Sequence, residues 1–362
     1  MQEKPCVAPR TDVAGSKAVA RAAGLHYVIE GEPGLSRVRH AKAFAHRDAK
    51  GRPVRDARTV DRIRSLVIPP AWKHVWICAR ADGHVQATGR DARGRKQHRY
   101  HPGWTAARNE AKYGRMIDFA HALPAIRRRV HADLKTAPLS RPHVLAAVVM
   151  LFEKTLIRIG NKEYARANNS FGLTTLLNEH VQINGASVRF RFGAKSGVMQ
   201  AIEVRDPALA RIVKRCRRIP GEALFQYVDA KGKRQRVDSA AVNAYLREIA
   251  GRSFSAKNVR TWAGTVLAAK AVCDLPECTS DAAFRRNIVR AVDSVAAKLG
   301  NTRAVCRSSY IHPGVFEGYR VGATIAGVKP GPRMAHLSAD EAAVLAMLKS
   351  RARHNRRETV AA

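Results

Sequence analysis

The apolar residues change their spacing about a third of the way along this chain, and that change limits the folds open to it. Up to residue 104, apolar and polar positions alternate in short stretches. Turn signals separate them: Asp48-Ala-Lys-Gly51, Ala81-Asp82-Gly83 and Asp91-Ala-Arg-Gly94. Alternation is the period of a strand with one buried face, and turns of this composition join such strands antiparallel. The piece Trp72-Lys-His-Val-Trp-Ile77 carries the aromatic and β-branched side chains that suit a pleated surface.

From Thr105 the repeat lengthens to three and four residues, the spacing of amphipathic helices. Thr105–Leu123, Ser140–Ile159, Ala240–Ala250, Ala256–Cys273 and Asp281–Leu299 read this way. Two β insertions interrupt them. In Ala186–Val204, Val188, Phe190 and Phe192 alternate with Arg189 and Arg191, and Gly193-Ala-Lys-Ser-Gly197 turns the chain back. A second hairpin spans Leu224–Val237 around Asp229-Ala-Lys-Gly232. Lys329-Pro-Gly-Pro332 then breaks any helix before it. Beyond the break, Ser338 and Glu341 make a capping box ahead of an apolar stripe at Ala343, Leu345 and Leu348. The expected architecture is α+β. A small β-rich N-terminal lobe occupies residues 1–104, a larger, mostly helical domain 105–325, and a basic tail with a short docked helix 326–362. No sequence repeat is visible.

At 362 residues the chain exceeds what one core usually serves, and its 46% hydrophobic content excludes a disordered basic tail. It carries 65 Lys and Arg against 29 Asp and Glu, a formal charge of +36. The excess is spread as +12, +20 and +4 over the three expected segments, which fits a surface wrapped on a polyanion better than a single basic arm. A nucleic acid is the expected partner, with a ribosomal or chaperone-like basic protein as the alternative. The longest apolar run, Val144–Phe152, is half the ~20 residues of a membrane span. With Glu3 and Asp12 and no apolar core, the first residues do not read as a secretory signal, and the six cysteines are scattered. A cytoplasmic, nucleoid-associated protein is therefore expected. Only Cys273 and Cys278 are close, with no second pair to complete a zinc site. No Walker-type loop is present, and the acids are too dispersed to hold magnesium, so neither metal nor cofactor is expected. A metal-free enzyme acting on backbone phosphate needs guanidinium groups for the non-bridging oxygens, an acid for the departing oxygen and a side-chain nucleophile.

Six segments, in order, resemble those of one family. Leu156-Ile-Arg-Ile-Gly-Asn161 with Tyr164 and Phe171-Gly-Leu-Thr-Thr-Leu176 is similar to the first catalytic segment of the bacterial and poxvirus-type IB DNA topoisomerases. Gly193-Ala-Lys-Ser-Gly197 resembles that family's catalytic-lysine turn, and Lys257-Asn-Val-Arg-Thr-Trp262 its second-arginine segment. Leu299-Gly-Asn-Thr302 with Tyr310 resembles the segment ending in the nucleophile. Ile68-Pro-Pro-Ala-Trp72 and Gly94-Arg-Lys-Gln-His-Arg-Tyr100 resemble signatures of the N-terminal domain, and the likeness covers about residues 20–350.

The resemblance implies a catalytic domain of the tyrosine recombinase/topoisomerase IB type, relaxing supercoiled DNA without ATP through a 3′-phosphotyrosine. Tyr310 matches the nucleophile, Arg158 and Arg260 the phosphate-gripping arginines, Lys195 the general acid. Asn301 stands where poxviral members have histidine; its amide can donate a hydrogen bond but adds no charge. Arg93–Tyr100 matches an element that enters the DNA groove, with Gln97 suited to adenine edges and Tyr100 to the backbone. At position 98 this chain has His where poxviral relatives have Tyr. Lys162, Tyr164 and Lys257 are further DNA-contact candidates. Arg127-Arg-Arg129, Arg215 and Arg217-Arg218 read as backbone contacts or solvated faces. Double-stranded DNA is the implied partner, and a monomer closing as a clamp around it is the implied assembly.

Two other functions fit the charge. A tyrosine recombinase shares this kind of catalytic domain but typically has histidine three residues before its second arginine, where this chain has Lys257. A non-catalytic DNA-packaging protein would need none of the convergent residues.

Overall fold

A computed structural model describes residues 13–40, 43–251, 254–329 and 334–361. The chain divides into two compact units, residues 1–114 and 115–362.

The first unit opens with α1 (Val13–Ala22), followed by β1 (Gly34–His40), β2 (Ala43–Arg47), α2 (Ala57–Ser65), β3 (Lys73–Cys78), β4 (Val85–Arg90) and β5 (Lys96–Tyr100). The strands form one antiparallel sheet in the order β2-β1-β3-β4-β5. The expected strands are present, and α1 and α2 are additions to them. Asp56 starts α2 by accepting a hydrogen bond from the Thr59 amide at 2.8 Å. The helix then lays Ile63 on the sheet core of Leu35, Val75, Ile77 and Ala87. Ile68-Pro-Pro-Ala-Trp72 has a structural task, because its carbonyls gather the Arg37 guanidinium, with Trp72 O at 2.6 Å and Pro69 O at 3.1 Å.

Helix α3 (Pro102–Asp133) runs through the unit boundary. It extends past Leu123 and Pro124, ten residues further than its sequence pattern suggested. Ile126 and Val130 prolong the buried stripe of Met116, Phe119, Ala120 and Leu123, and that burial outweighs the hydrogen bond Pro124 removes.

In the second unit α4 (Arg141–Thr155) is the central element, with Val144–Val149, Leu151 and Phe152 all fully buried. Around it come α5 (Lys162–Asn168), the antiparallel sheet β6 (Val181–Asn184), β7 (Ser187–Gly193) and β8 (Met199–Arg205), then α6 (Pro207–Arg217). The hairpin β9 (Gln226–Val228) and β10 (Arg234–Arg236) follows, with α7 (Ser239–Ala250), α8 (Ala256–Cys273), α9 (Asp281–Leu299), α10 (Arg303–Ser309), α11 (Pro313–Arg320) and α12 (Ala339–Ala361). Both β insertions and the helices at 240–250, 256–273 and 281–299 stand where their patterns put them.

The C-terminal helix is longer than expected and packs within the second unit through buried Val344, Leu345, Met347 and Leu348. Its capping box forms: Ser338 N donates to Glu341 Oε2 at 2.8 Å and Glu341 N to Ser338 Oγ at 3.2 Å. The expected break at Lys329-Pro-Gly-Pro332 falls, beyond Lys329, outside the described residues. Among the described residues no helix is long and apolar enough to cross a membrane.

Candidate active site

Arg158 leaves the end of α4. Leu156 caps that helix in the left-handed region (φ 54°), its amide bonded to Phe152 O. Burial alternates along the next three residues, with Ile157 and Ile159 buried and Arg158 between them half-buried. This segment is held by Leu173 N donating to Arg158 O at 2.8 Å and Thr174 N to Ile159 O at 2.7 Å. The approach is so close that a Cβ at Gly172 would lie 2.4 Å from Arg158 O, which reserves the position for glycine. Arg158 Nη2 donates to Gly300 O at 2.9 Å and to Asn301 Oδ1.

Arg260, on the second turn of α8, is only 4% exposed. Its Nη1 donates to Leu156 O, its Nη2 to Leu299 O at 2.8 Å and to Asn301 Oδ1 at 3.1 Å. Leu156 O and Leu299 O belong to the C-terminal ends of α4 and α9, whose last carbonyls have no partner within their helices. Two negative helix ends therefore take the place of carboxylates. Among the described residues, no acid pairs with either guanidinium. Burial lowers the pKa of both arginines from the ordinary value, and the charge of Arg158 lowers that of Arg260 further, although Tyr310 opposes the shift. Two guanidiniums held by neutral groups in a half-buried site leave a surplus of positive charge, the state an incoming anion relieves.

Asn301 follows Gly300, which closes α9 at φ 57°. Its Oδ1 accepts from both arginines, so Nδ2 is the end left over, and this buried nitrogen has no partner. The Nε of Arg260 is likewise buried and unpartnered. The side chain is therefore spent on the arginines rather than on capping α9.

Tyr310 terminates α10, its amide bonded to Cys306 O at 3.0 Å. Its ring lies under the Arg260 guanidinium, 5.2 Å from Cζ to ring centre. The same helix that carries Arg260 fixes the tyrosine backbone one turn later. A Cβ at Gly264 would stand 2.7 Å from Tyr310 O, and Thr265 Oγ1 accepts from His312 N at 3.1 Å. Gly264 and Thr265 escaped the sequence reading. Their only signal is their spacing of four and five residues from Arg260 on one helix.

Lys195 opens the exposed turn between β7 and β8, and its side chain makes no hydrogen bond or ion pair with a described residue. The neck of that hairpin is nevertheless tied to the segment that binds Arg158. Phe171 N donates to Gly193 O at 2.8 Å and Ser170 Oγ to Ala194 O at 3.3 Å, next to the Gly172–Leu173 segment that binds Arg158. A cleft lined by Arg158, Phe171, Phe192, Ala194, Gln200 and Leu299 joins the two. Of the five catalytic candidates the structure thus gathers Arg158, Arg260, Asn301 and Tyr310, and leaves Lys195 uncommitted at the margin.

Residues 99–323, more than half of the chain, match the family model described as the catalytic core of eukaryotic DNA topoisomerase I. Residues 43–91 match that of the N-terminal domain of bacterial DNA topoisomerase IB. The chain belongs to the type IB DNA topoisomerase family. It is 28% identical over 270 residues to the DNA topoisomerase 1B of Acanthamoeba polyphaga mimivirus, covering 73% of this chain and 80% of that protein. With DNA topoisomerase 1B of Vaccinia virus (strain Copenhagen) it shares 24% identity over 110 residues, 30% of this chain and 35% of that protein.

The other DNA-contact candidates of this topoisomerase differ in their freedom. Lys162 and Tyr164 are exposed on α5, Tyr164 by 59%, and Lys257 is exposed one turn ahead of Arg260. Tyr100 is exposed on β5 and stacks on His98 with centroids 5.6 Å apart. Gln97 is not free: its Nε2 donates to Asp91 Oδ2 at 3.0 Å, so reading a base would require breaking that bond. Arg127 is neither a solvated face nor an open backbone contact. It binds Glu341 through both Nη atoms at 2.8 Å and Glu153 at 3.2 Å, and Glu341 also accepts from Trp262 Nε1 at 3.1 Å. Arg129 is bound to Asp133 at 2.9 Å. Arg215, Arg217 and Arg218 are exposed.

Proposed function

We propose that this topoisomerase relaxes supercoiled DNA without nucleotide or metal, by transferring a backbone phosphate to Tyr310 and back. The observation carrying this reading is the arginine pair, half-buried Arg158 and buried Arg260, which share Asn301 Oδ1 and lack carboxylate partners among the described residues, with Arg260 over the Tyr310 ring. Surplus charge at that point suits a phosphodiester whose non-bridging oxygens gain negative charge as it becomes pentacoordinate.

In this mechanism the Tyr310 oxygen gives up its proton to solvent and attacks phosphorus while the bond to the 5′ oxygen breaks, leaving a 3′-phosphotyrosine and a free 5′ hydroxyl. Arg158 and Arg260 hold the non-bridging oxygens with donors not spent on carbonyls, and Asn301 Nδ2 supplies one more. Lys195 swings in from its exposed turn and gives its proton to the departing oxygen. The phosphoester is conserved in the tyrosine link, so the 5′ hydroxyl attacks in reverse once the strand has rotated, and no energy source is needed. A single chain acts, its two units gripping one duplex in the nucleoid.

The test is relaxation of a supercoiled plasmid in EDTA without ATP. Full relaxation by substoichiometric protein, with a covalent protein–DNA adduct trapped by denaturant, is the expected result. Relaxation that requires ATP or a divalent cation would overturn the reading.

A further inference from the structure

The expectation that the sequence holds no repeat is true of whole elements but not of turns. Asp48-Ala-Lys-Gly51, Asp91-Ala-Arg-Gly94 and Asp229-Ala-Lys-Gly232 are built alike. In each, the aspartate amide donates to the carbonyl four residues on (2.9, 3.0 and 3.0 Å), and the glycine amide donates back to the aspartate carbonyl (3.0, 2.9 and 2.9 Å). The three glycines sit at φ 79°, 73° and 74°, the left-handed conformation this tight return requires. Oδ1 accepts from the second and fourth amides after it, at 2.9 and 2.8, 2.9 and 3.0, and 3.0 and 2.9 Å. The later two copies agree further. Asp91-Ala-Arg-Gly-Arg-Lys-Gln97 and Asp229-Ala-Lys-Gly-Lys-Arg-Gln235 each end in a glutamine whose Nε2 donates to Oδ2 at 3.0 Å. Their acid is consumed within the turn, and the intervening cations are left exposed.

We propose that the β9–β10 hairpin is a phosphate-backbone contact of the second unit, presenting Lys231 and Lys233 to duplex DNA outside the Arg158–Arg260–Asn301 centre. The proposal rests on DNA being the substrate and extends that reading to a surface not otherwise assigned. Both lysines are exposed, and neither side chain makes a hydrogen bond or salt bridge with a described residue. The tip is held rigidly, since Arg234 Nη1 donates to Pro220 O at 2.7 Å and Val228 N to Leu139 O at 3.0 Å. Pro220 follows α6, which ends at exposed Arg217 and Arg218. A turn fixed by its own aspartate gives up little conformational freedom when a phosphate binds. The same device in the first unit lies in the segment that resembles the family's groove-entering element, so one chain uses one cationic turn in both units.

The test is the salt dependence of duplex binding by the full chain carrying Tyr310→Phe, followed by fluorescence anisotropy. The pair Lys231→Ala/Lys233→Ala should lower the slope of log affinity against log salt by about 1.8, two phosphates at ~0.9 each. Lys231→Arg/Lys233→Arg should restore it. Removal of two exposed charges elsewhere, Arg285→Ala/Arg286→Ala on α9, should change the slope far less. An unchanged slope in the lysine pair, or an equal change in the α9 pair, overturns the proposal. If the unsubstituted chain relaxes plasmid while the slope stays unchanged, only the hairpin assignment fails. If it neither binds nor relaxes DNA, the functional reading fails with it.

Discussion

Asn301→Asp should separate stability from catalysis in opposite directions. The substitution keeps the shape of the side chain and the acceptor that both guanidiniums already use, at 3.1 Å from Arg260 Nη2. It converts a neutral acceptor into a charge. Opposite unit charges about 4 Å apart attract by about 4 kcal/mol at an effective dielectric of 20, hence about 8 kcal/mol for two arginines. Removing the carboxylate from water costs several kcal/mol, which leaves a net gain on the order of 1–3 kcal/mol. At about 2–4 °C per kcal/mol for a unit of this size, Tm should rise by roughly 2–12 °C. The pH sign follows from the two guanidiniums, which would hold the new carboxyl below its unfolded value of about 3.9. The gain is therefore complete above that value and disappears as pH falls through the lower folded one. Cleavage should move the other way. The unpartnered Nδ2 donor is lost, and an anion now faces the phosphate, so the single-turnover rate should fall by at least about 10²–10³. Scanning calorimetry and single-turnover cleavage of a labelled duplex measure the two effects. An unchanged or lower Tm would mean that the arginine charge is already compensated. Cleavage within about tenfold of the unsubstituted rate would mean that Asn301 donates nothing to the phosphate.

Tyr310→Phe should abolish relaxation and the covalent adduct while duplex binding persists; an adduct on the variant would place the nucleophile elsewhere. Lys195→Ala should recover most of its single-turnover cleavage on a substrate with sulfur at the 5′ bridging position, because a thiolate of pKa about 8.5 leaves without a proton. Arg158→Ala should recover far less, and equal recovery of both would assign proton delivery to Arg158 as well. Around Arg127 the two glutamates should respond unequally to neutralisation. Burial raises the pKa of Glu153, whereas Glu341, despite burial, is lowered by Arg127, the Ser338 amide and Trp262. Glu341→Gln should therefore cost about 3–5 kcal/mol at neutral pH, the range for breaking a buried pair, and Glu153→Gln little or nothing. Equal losses in urea unfolding would contradict this division.

The local elements of this protein were legible in its sequence because their determinants are local. The spacing of apolar residues placed 256–273 and 281–299 at the observed ends of α8 and α9, and Ser338 with Glu341 marked the start of α12. The turn at Asp229 closes at the glycine that ends its motif. Local pattern misled where burial from afar intervened, as in α3, which continues through Pro124 because Ile126 and Val130 still face a core. Composition gave the same weight to Arg127 and Arg217. Only folding brings Glu341, some two hundred residues away, onto Arg127 while leaving Arg217 exposed. Likewise, the motif at 94–100 could not reveal that Gln97 is bound to Asp91. The resemblance named Arg158, Arg260, Asn301 and Tyr310, but not what holds them. Their supports are the carbonyls at Leu156, Leu299 and Gly300, and carbonyls are common to all residues and leave no trace in a sequence. Which carbonyls are left unpaired is decided by where helices end, and which guanidiniums they meet by how those helices pack.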